Sequence, residues 1–151
     1  MTRLSRLGFL FEEHPLYFIT ACTDQRKKLL DNGATHDHFV DFCQRGREHG
    51  VLVGKYILMP DHIHLFVCIP TGALGLSTWI KSLKNSLSKH WREKGEDAPH
   101  WQKGFFDHLI RHDESYAEKW KYVADNPVRA GLCKEPKDWP FGGEINPTAH
   151  R

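Results

Sequence analysis

Residues 51–69 have the sequence VLVGKYILMPDHIHLFVCI. The segment from Val51 to Met59 is rich in aliphatic and aromatic residues and predicts a strand, and His62 to Ile69 predicts a second one. Between them, Met59-Pro60-Asp61 has the composition of a tight turn. The stretch therefore predicts a β-hairpin, around which the remaining elements can be arranged.

Further strands and helices are predicted on both sides of this hairpin. In chain order the elements are a strand at 16–22, a helix at about 35–50, the hairpin at 51–69, a helix of about twenty residues after Pro70-Thr71-Gly72, a strand at 105–111 and a helix at 115–126. A capping box at Ser115-Tyr116-Ala117-Glu118 indicates where the last helix begins. Pro127 disfavours helical geometry at Asn126 and predicts its end.

The order β-α-β-β-α-β followed by a helix is typical of an α+β, ferredoxin-like fold. It predicts an antiparallel four-stranded sheet with helices on one face, the other face free, and an added C-terminal helix. A length of 151 residues allows one ordinary domain. We expect a single domain over 1–151, with a core of about 8–142. A loose tail over 143–151 is predicted from Gly142-Gly143, Pro147 and few apolar residues.

Composition excludes several classes of protein. The most apolar run, Ile57 to Pro70, is too short and too polar to span a bilayer, and the N-terminus lacks a signal-peptide pattern. We therefore expect a soluble cytoplasmic protein. The four cysteines are isolated and form no C-x-x-C motif, which favours reduced thiols over a zinc or disulfide framework. Nucleotide-binding glycine-rich loops and the G-x-S-x-G and H-E-x-x-H motifs are also missing.

Positive charge is concentrated on one predicted helix, although the net charge is only +2. The segment from Trp79 to Lys94 contains one acidic residue, Glu93, and five basic ones: Lys81, Lys84, Lys89, Arg92 and Lys94. A basic stripe on one element suits a polyanion such as DNA. A solvated helix face is the alternative.

His62-Ile63-His64 is the first candidate for chemistry. Residues two apart on a strand point to the same face, so both imidazoles can converge on one cation while Ile63 fills the core. A third ligand must come from elsewhere in the chain. An accidental pair is the alternative, in a sequence with 11 histidines.

The last predicted helix carries the second candidate. Tyr116, Trp120, Val123 and Ala124 define its apolar stripe, which places Tyr116 in the core. Tyr122 lies outside this stripe, and Asn126, four residues on, lies on the same side. The two side chains can therefore face a ligand together, unless Tyr122 is only a surface tyrosine.

The sequence also contains a short match to an RNA-binding motif. Lys103-Gly104-Phe105-Phe106 is similar to the opening of the RNP1 element, which presents aromatic residues on a ferredoxin-like sheet. The rest of that element and its aromatic partner are missing from the sequence. This argues against an RNA-recognition sheet.

Three segments together resemble the single-tyrosine HUH transposases, and within them the REP-associated tyrosine transposases. They are Leu58–Leu65 (LMPDHIHL), Trp101–Arg111 (WQKGFFDHLIR) and Tyr122–Leu132 (YVADNPVRAGL), the last followed by Asp138-Trp139-Pro140. The Leu16 to Thr23 strand also fits, so the resemblance covers about residues 8–142. The sequence departs from the family at Asp61, where Asn is usual, and in its short tail.

The resemblance implies a role for each matching residue. It makes His62, His64 and Asn126 the ligands of Mg²⁺ or Mn²⁺, and Tyr122 the nucleophile. Cleavage of single-stranded DNA at REP-like hairpins would then give a 5′-phosphotyrosine intermediate and a free 3′-OH, with no nucleotide cofactor. The expected DNA contacts are Lys81, Lys84, Lys89, Arg92, Arg111 and Arg129.

The same resemblance implies a cytoplasmic, nucleoid-associated protein that binds no membrane and is a monomer or a homodimer. A domesticated, non-catalytic protein that only binds repeat hairpins is the alternative function. The intact set of His62, His64, Tyr122 and Asn126 argues against that alternative.

Overall fold

The computed structural model describes residues 15–69, 73–111 and 116–147. Five strands and four α-helices lie within these ranges. In chain order they are β1 (Leu16–Cys22), α1 (Gly33–Arg45), β2 (Leu52–Leu58), β3 (His62–Cys68), α2 (Ala73–Glu93), β4 (Phe106–Leu109), α3 (Tyr116–Ala124), α4 (Asn126–Arg129) and β5 (Gly142–Glu144).

The strands form one antiparallel sheet in the order β4-β1-β3-β2-β5. Its first four strands have the order expected of the ferredoxin-like pattern, so the predicted fold class is confirmed. The predicted hairpin is formed by β2 and β3. Its turn is closed by the backbone N–H of Met59, which donates to the carbonyl of His62 over 2.8 Å.

The sheet has one strand more than predicted. Gly142–Glu144 pairs with β2 as an edge strand, and Phe141 and Ile145 on either side of it pack against the main core. Asn146 is buried, and its side-chain amide donates to the carbonyl of Val53. The prediction of a loose tail is therefore wrong for residues 143–146. Residues 148–151 lie outside the described part of the chain.

The main core lies between the sheet and helices α1 and α2. Alternate strand residues such as Ile19, Ile63 and Leu65 are fully buried there, and α2 contributes Leu76, Ile80, Leu83 and Leu87. Asn32 caps α1, because its side chain accepts a hydrogen bond from Thr35 N–H. Helix α1 ends at Arg45, five residues earlier than predicted, in a short 3₁₀ turn that leads to Gly50 at φ 78°.

Helix α3 covers part of the opposite side of the sheet. We call this side the α3 face; it carries Phe18, His64 and Phe66. Tyr116 stacks on Phe66 with ring centroids 4.4 Å apart, and Trp120 and Val123 pack near Ile57. The prediction that this face is free is therefore wrong, because α3 packs its apolar side against it.

A β-bulge in β2 anchors α3. The pairing of β2 with β3 shifts between Val53 and Tyr56, and the N–H of Lys55 donates to the Tyr116 hydroxyl over 2.8 Å. A side chain at Gly54 would overlap this hydroxyl. The glycine therefore makes room for Tyr116, whose placement in the core agrees with the sequence prediction.

The end of α3 also differs from the prediction. The helix stops at Ala124, and Asn126 begins the separate helix α4, with Pro127 in its first turn. Proline suits the first turn of a helix, because a backbone N–H at this position would have no partner within the helix. Pro127 thus starts a new helix and does not push Asn126 out of helical geometry. Ser115, the predicted cap of α3, lies outside the described residues.

Candidate active site

His62 and His64 lie side by side on the α3 face. Their ring centroids are 4.8 Å apart in an edge-to-face arrangement. Ile63, between them, is fully buried on the other side of the sheet, as the alternation of strand residues predicts. The two imidazoles are therefore a pair on one surface.

Asp61 orients His62. Nδ1–H of His62 donates to Oδ1 of Asp61 over 2.8 Å, and Nε of Arg26 donates to Oδ2 over 2.9 Å. Burial by itself would raise the pKa of Asp61, but the hydrogen bonds from Arg26 and His62 outweigh it and lower that pKa. The carboxylate is thus ionised at neutral pH. It keeps the proton of His62 on Nδ1, so the ring nitrogen with a lone pair is Nε2.

His64 is held in a comparable way. Its Nδ1 lies 2.9 Å from Oγ1 of Thr20, and its ring stacks on Phe18 with centroids 5.3 Å apart. Burial, and then the positive charges of His62, Lys119 and Arg129, lower the pKa of His64 to about 3. The ring is therefore neutral at pH 7, which is the state in which an imidazole binds a metal ion.

Tyr122, Asn126 and Arg129 form a second group. Tyr122 is 68% exposed, and the guanidinium carbon of Arg129 lies 4.3 Å from the centre of its ring. Arg129 also donates to the carbonyl of Tyr122 over 3.0 Å and to Oδ1 of Asn126 over 2.8 Å. One arginine thus holds both residues that the sequence placed on the polar side of the helix.

The two groups belong to the same surface. The charges of Lys119 on α3 and Arg129 on α4 both contribute to the low pKa of His64. Lys119 also lies over the ring of Phe18, at 5.1 Å, next to His64. Val123, next to Tyr122 in sequence, packs with Ile57 of β2, and Ile57 lies opposite His64 in the sheet, so α3 covers the face that carries the histidine pair.

The chemistry of these side chains suits a divalent cation. Each histidine has its Nδ1 in a hydrogen bond, which leaves Nε2 for a metal ion, and the amide oxygen of Asn126 accepts from Arg129 but keeps a second lone pair. In the described part of the chain, no three His, Cys, Asp or Glu side chains cluster in a way that could hold a metal ion. Among the described residues, a third ligand would be of another type, and an amide oxygen suits Mg²⁺ or Mn²⁺.

Most of the predicted DNA-contacting residues are exposed but lie apart from this surface. Helix α2 packs on the other side of the sheet, and its residues Lys81, Lys89 and Arg92 are exposed. Arg111 is exposed just after β4. The basic helix is therefore across the sheet from the histidine pair.

Lys84 does not suit a phosphate contact. Its ammonium group donates to the carbonyls of Gln102 (3.0 Å) and Gly104 and lies 5.7 Å from the centre of the Trp101 ring. Burial lowers its pKa. The sequence prediction for Lys84 is corrected accordingly: this lysine fastens the loop before β4 to α2.

The comparison with protein families decides the assignment, because residues 14–126 match the family Transposase IS200 like. The chain belongs to the IS200-like transposase family. The family resemblance found in the sequence is thereby confirmed, and it implies an enzyme that acts on DNA and cleaves it. The matched range ends at Asn126 and so includes both histidines and Tyr122.

Individual relatives agree with this family. A Haemophilus influenzae protein provisionally named REP-associated tyrosine transposase is 27% identical over 141 residues, which cover 87% of this chain and 80% of the relative. The REP-associated tyrosine transposase of Escherichia coli K12 is 28% identical over 112 residues, covering 70% of this chain and 58% of that protein.

A solved structure supports the fold. It is a REP-associated tyrosine transposase bound to a REP hairpin, with a TM-score of 0.68 and 24% identity over 85% of this chain and 76% of that one.

Among the helices of the described residues, none is both long and apolar enough to cross a membrane.

Four residues of the candidate site were not identified as such from the sequence of this IS200-like transposase. They are Arg26, Asp61, Thr20 and Lys119, which contact the histidines or lie close to them. The sequence did give a reason to consider Asp61, since it directly precedes His62 in the turn. The strand alternation of β1 put Thr20 on one face of the sheet, but nothing in the sequence pairs it with His64.

Proposed function

We propose that this IS200-like transposase cleaves and rejoins single-stranded DNA next to REP-like hairpins, with Tyr122 as the nucleophile. The observation that carries the proposal is the exposed phenol of Tyr122, held by Arg129, on the helix that packs against the sheet face carrying His62 and His64. An exposed tyrosine on a helix end can approach a phosphate, whereas a buried one cannot.

The proposed chemistry exchanges one phosphoester for another. The Tyr122 oxygen attacks phosphorus, the bond from phosphorus to the 3′ oxygen breaks, and a 5′-phosphotyrosine is left on the protein. The phenol loses one proton and the departing 3′ oxygen gains one, so the step needs no ATP. Attack on the phosphotyrosine by another 3′-OH rejoins DNA and releases Tyr122.

Arg129 contributes charge and position to this step. Its guanidinium is fixed against the ring of Tyr122 and against Asn126, so the two side chains are held in one arrangement. A planar cation at this place suits the phosphate that Tyr122 attacks. We therefore assign Arg129 to the reaction centre as well as to DNA binding.

We propose His62, His64 and Asn126 as the ligands of a divalent cation beside Tyr122. Bound there, Mg²⁺ or Mn²⁺ would polarise the scissile phosphate and stabilise charge on the leaving oxygen. The residues of this chain prepare the site: Asp61 and Thr20 bind the Nδ1 atoms, and burial keeps His64 neutral.

The remaining DNA contacts are proposed from charge and exposure. They are Lys81, Lys89, Arg92 and Arg111, with Arg129 at the reaction centre. We further propose that residues of about 8–142 form a single domain that acts as a monomer or homodimer in the cytoplasm, in association with nucleoid DNA.

The basic helix gives a prediction about salt. If Lys89 contacts a phosphate, Lys89→Ala should lower the slope of log affinity against log salt concentration by about 0.7–0.9, because one counterion fewer is released on binding. Lys84→Ala is the matched control on the same helix, and its slope should be unchanged because its ammonium is held by Gln102 and Gly104. Fluorescence anisotropy with a labelled hairpin measures both, and equal slopes in wild type and Lys89→Ala would contradict this contact.

The proposed function itself is tested by the polarity of the covalent product. A hairpin oligonucleotide with a single-stranded flank is labelled at either its 3′ or its 5′ end and incubated with protein and Mn²⁺. The 3′-labelled strand should remain attached to the protein after boiling in detergent, because a 5′-phosphotyrosine retains the downstream fragment. The 5′-labelled strand should yield a shorter free product that ends in a 3′-OH.

Two results would refute the proposal. Binding without any cleavage would identify a non-catalytic hairpin-binding protein. Cleavage without an adduct would identify a nuclease that uses water.

A further inference from the structure

Phe106 is a large apolar side chain that the fold leaves in solvent. It is 70% exposed, which is more than any other large hydrophobic residue in the described ranges. The other aromatic residue among the exposed large hydrophobics of those ranges is Tyr122. Phe105, its neighbour in sequence, packs against the main core, so β4 does not need Phe106 to hold it in place.

The strand register places Phe106 on the same face as the histidine pair. Phe106 lies opposite Thr20 in the pairing of β4 with β1, and Thr20 lies opposite His64 in the pairing of β1 with β3. Residues directly opposite in an antiparallel sheet share a face, with Cβ atoms about 4.5–5.5 Å apart. Two such steps put Phe106 roughly 10 Å from His64.

Charge on β4 is arranged to suit a polyanion on this face. The carboxylate of the strand, Asp107, lies opposite Ile19, which belongs to the main core, so it points to the other side of the sheet. On the α3 face, the ammonium group of Lys119 lies 5.1 Å from the centre of the Phe18 ring, which stacks on His64. A nucleic acid strand can therefore pass from the histidine pair to Phe106 without meeting a carboxylate of β4.

We propose that Phe106 stacks on an unpaired DNA base a few nucleotides from the phosphate that Tyr122 attacks. The inference rests on the proposed function and deepens it, because it names the part of the substrate that this surface binds. Every base presents a flat π-face, so stacking binds the strand without depending on its base sequence. Sequence specificity then comes from other contacts, and Phe106 fixes how far the strand extends past the histidine pair.

The test compares binding of two DNA probes without Mn²⁺: a hairpin with a single-stranded flank and the same hairpin without it. Phe106→Ala should weaken binding of the flanked probe about 5- to 150-fold, the range expected for the loss of one stacked base. Binding of the probe without a flank should be unchanged. Phe106→Trp should retain affinity for the flanked probe, because it keeps an aromatic surface.

Leu109→Ala is the matched control. Leu109 is also exposed and on β4, but it lies opposite Tyr17 and so faces the other side of the sheet. Its removal should leave the binding of both probes unchanged. A flank in which 2-aminopurine replaces one base at a time should show quenched fluorescence at one position, and Phe106→Ala should abolish that quenching.

The inference is overturned if Phe106→Ala binds the flanked probe like wild type, or weakens both probes equally. A change of oligomeric state in sedimentation, with DNA affinity unchanged, would assign Phe106 to a contact between copies of the chain and would also overturn it. These readouts need no cleavage. Failure of the inference is thus distinguished from failure of the proposed function, which is read from the covalent adduct.

Discussion

Tyr122→Phe is expected to reduce formation of the covalent protein–DNA adduct at least about a thousandfold, the scale of losses seen when a nucleophile is removed from a group of residues that act together. The substitution removes only the attacking oxygen. Because the ring is 68% exposed, we expect the free energy of unfolding to change by less than about 0.5 kcal/mol. DNA affinity should stay at the wild-type level, as measured by anisotropy alongside the adduct assay.

Tyr116→Phe is the control for this variant. Tyr116 lies on the same helix, but its hydroxyl accepts a hydrogen bond from the Lys55 backbone N–H at the bulge. Its loss should lower the free energy of unfolding by about 1 kcal/mol. Activity should persist well below the melting temperature. Nicking that survives in Tyr122→Phe would mean that water is the nucleophile, and the proposed mechanism would be rejected.

His62→Ala is expected to abolish cleavage and to weaken Mn²⁺ binding at least about 100-fold, since even the loss of a residue that only orients a ligand costs about 10- to 100-fold. Asp61→Ala should weaken Mn²⁺ binding by only about 10- to 100-fold. It removes the hydrogen-bond partner of Nδ1 of His62 but keeps the imidazole. Hairpin affinity without Mn²⁺ should be retained in both variants. Calorimetric titration with Mn²⁺ and the adduct assay measure the two effects.

His49→Ala is a suitable control for this pair, because His49 is exposed in the turn between α1 and β2, away from the α3 face. Its Mn²⁺ affinity and cleavage should match those of wild type. If His62→Ala bound Mn²⁺ as tightly as wild type, the metal site would have to be placed elsewhere. Loss of folding, cleavage and DNA binding together would indicate a structural role for His62.

Regular patterns allowed much of the fold and the candidate site to be predicted from the sequence. The two-residue period of a strand placed His62 and His64 on one face and Ile63 in the core. The helical period separated Tyr116, which is half-buried against Phe66, from the exposed Tyr122. These predictions depend on local geometry alone, which is why they needed no tertiary information.

Elements that depend on distant partners were not predicted. The edge strand β5 has the sequence Gly-Gly-Glu, and pairs with β2 through its backbone without any hydrophobic alternation. An apolar stripe shows that α3 is buried on one side, but not which face of the sheet it covers. The link from Arg26 to Asp61 joins residues 35 positions apart, and no periodicity reports such a contact.

Charge patterns were similarly ambiguous. Lys84 and Lys89 belong to the same basic run, yet one is held by backbone carbonyls and the other is exposed. The difference arises because the loop containing Gln102 folds back against α2 next to Trp101. A count of lysines along a helix cannot distinguish a tethered ammonium group from a solvated one.

The most direct test of the central claim is to locate the DNA on the protein. The wild-type adduct is formed with a single-stranded hairpin substrate and Mn²⁺, digested with nuclease and protease, and analysed by tandem mass spectrometry. The account predicts a nucleotide attached through its 5′ phosphate to the Tyr122 oxygen. A nucleotide attached to any other residue, or an unmodified Tyr122 peptide from a cleavage-competent sample, would contradict it.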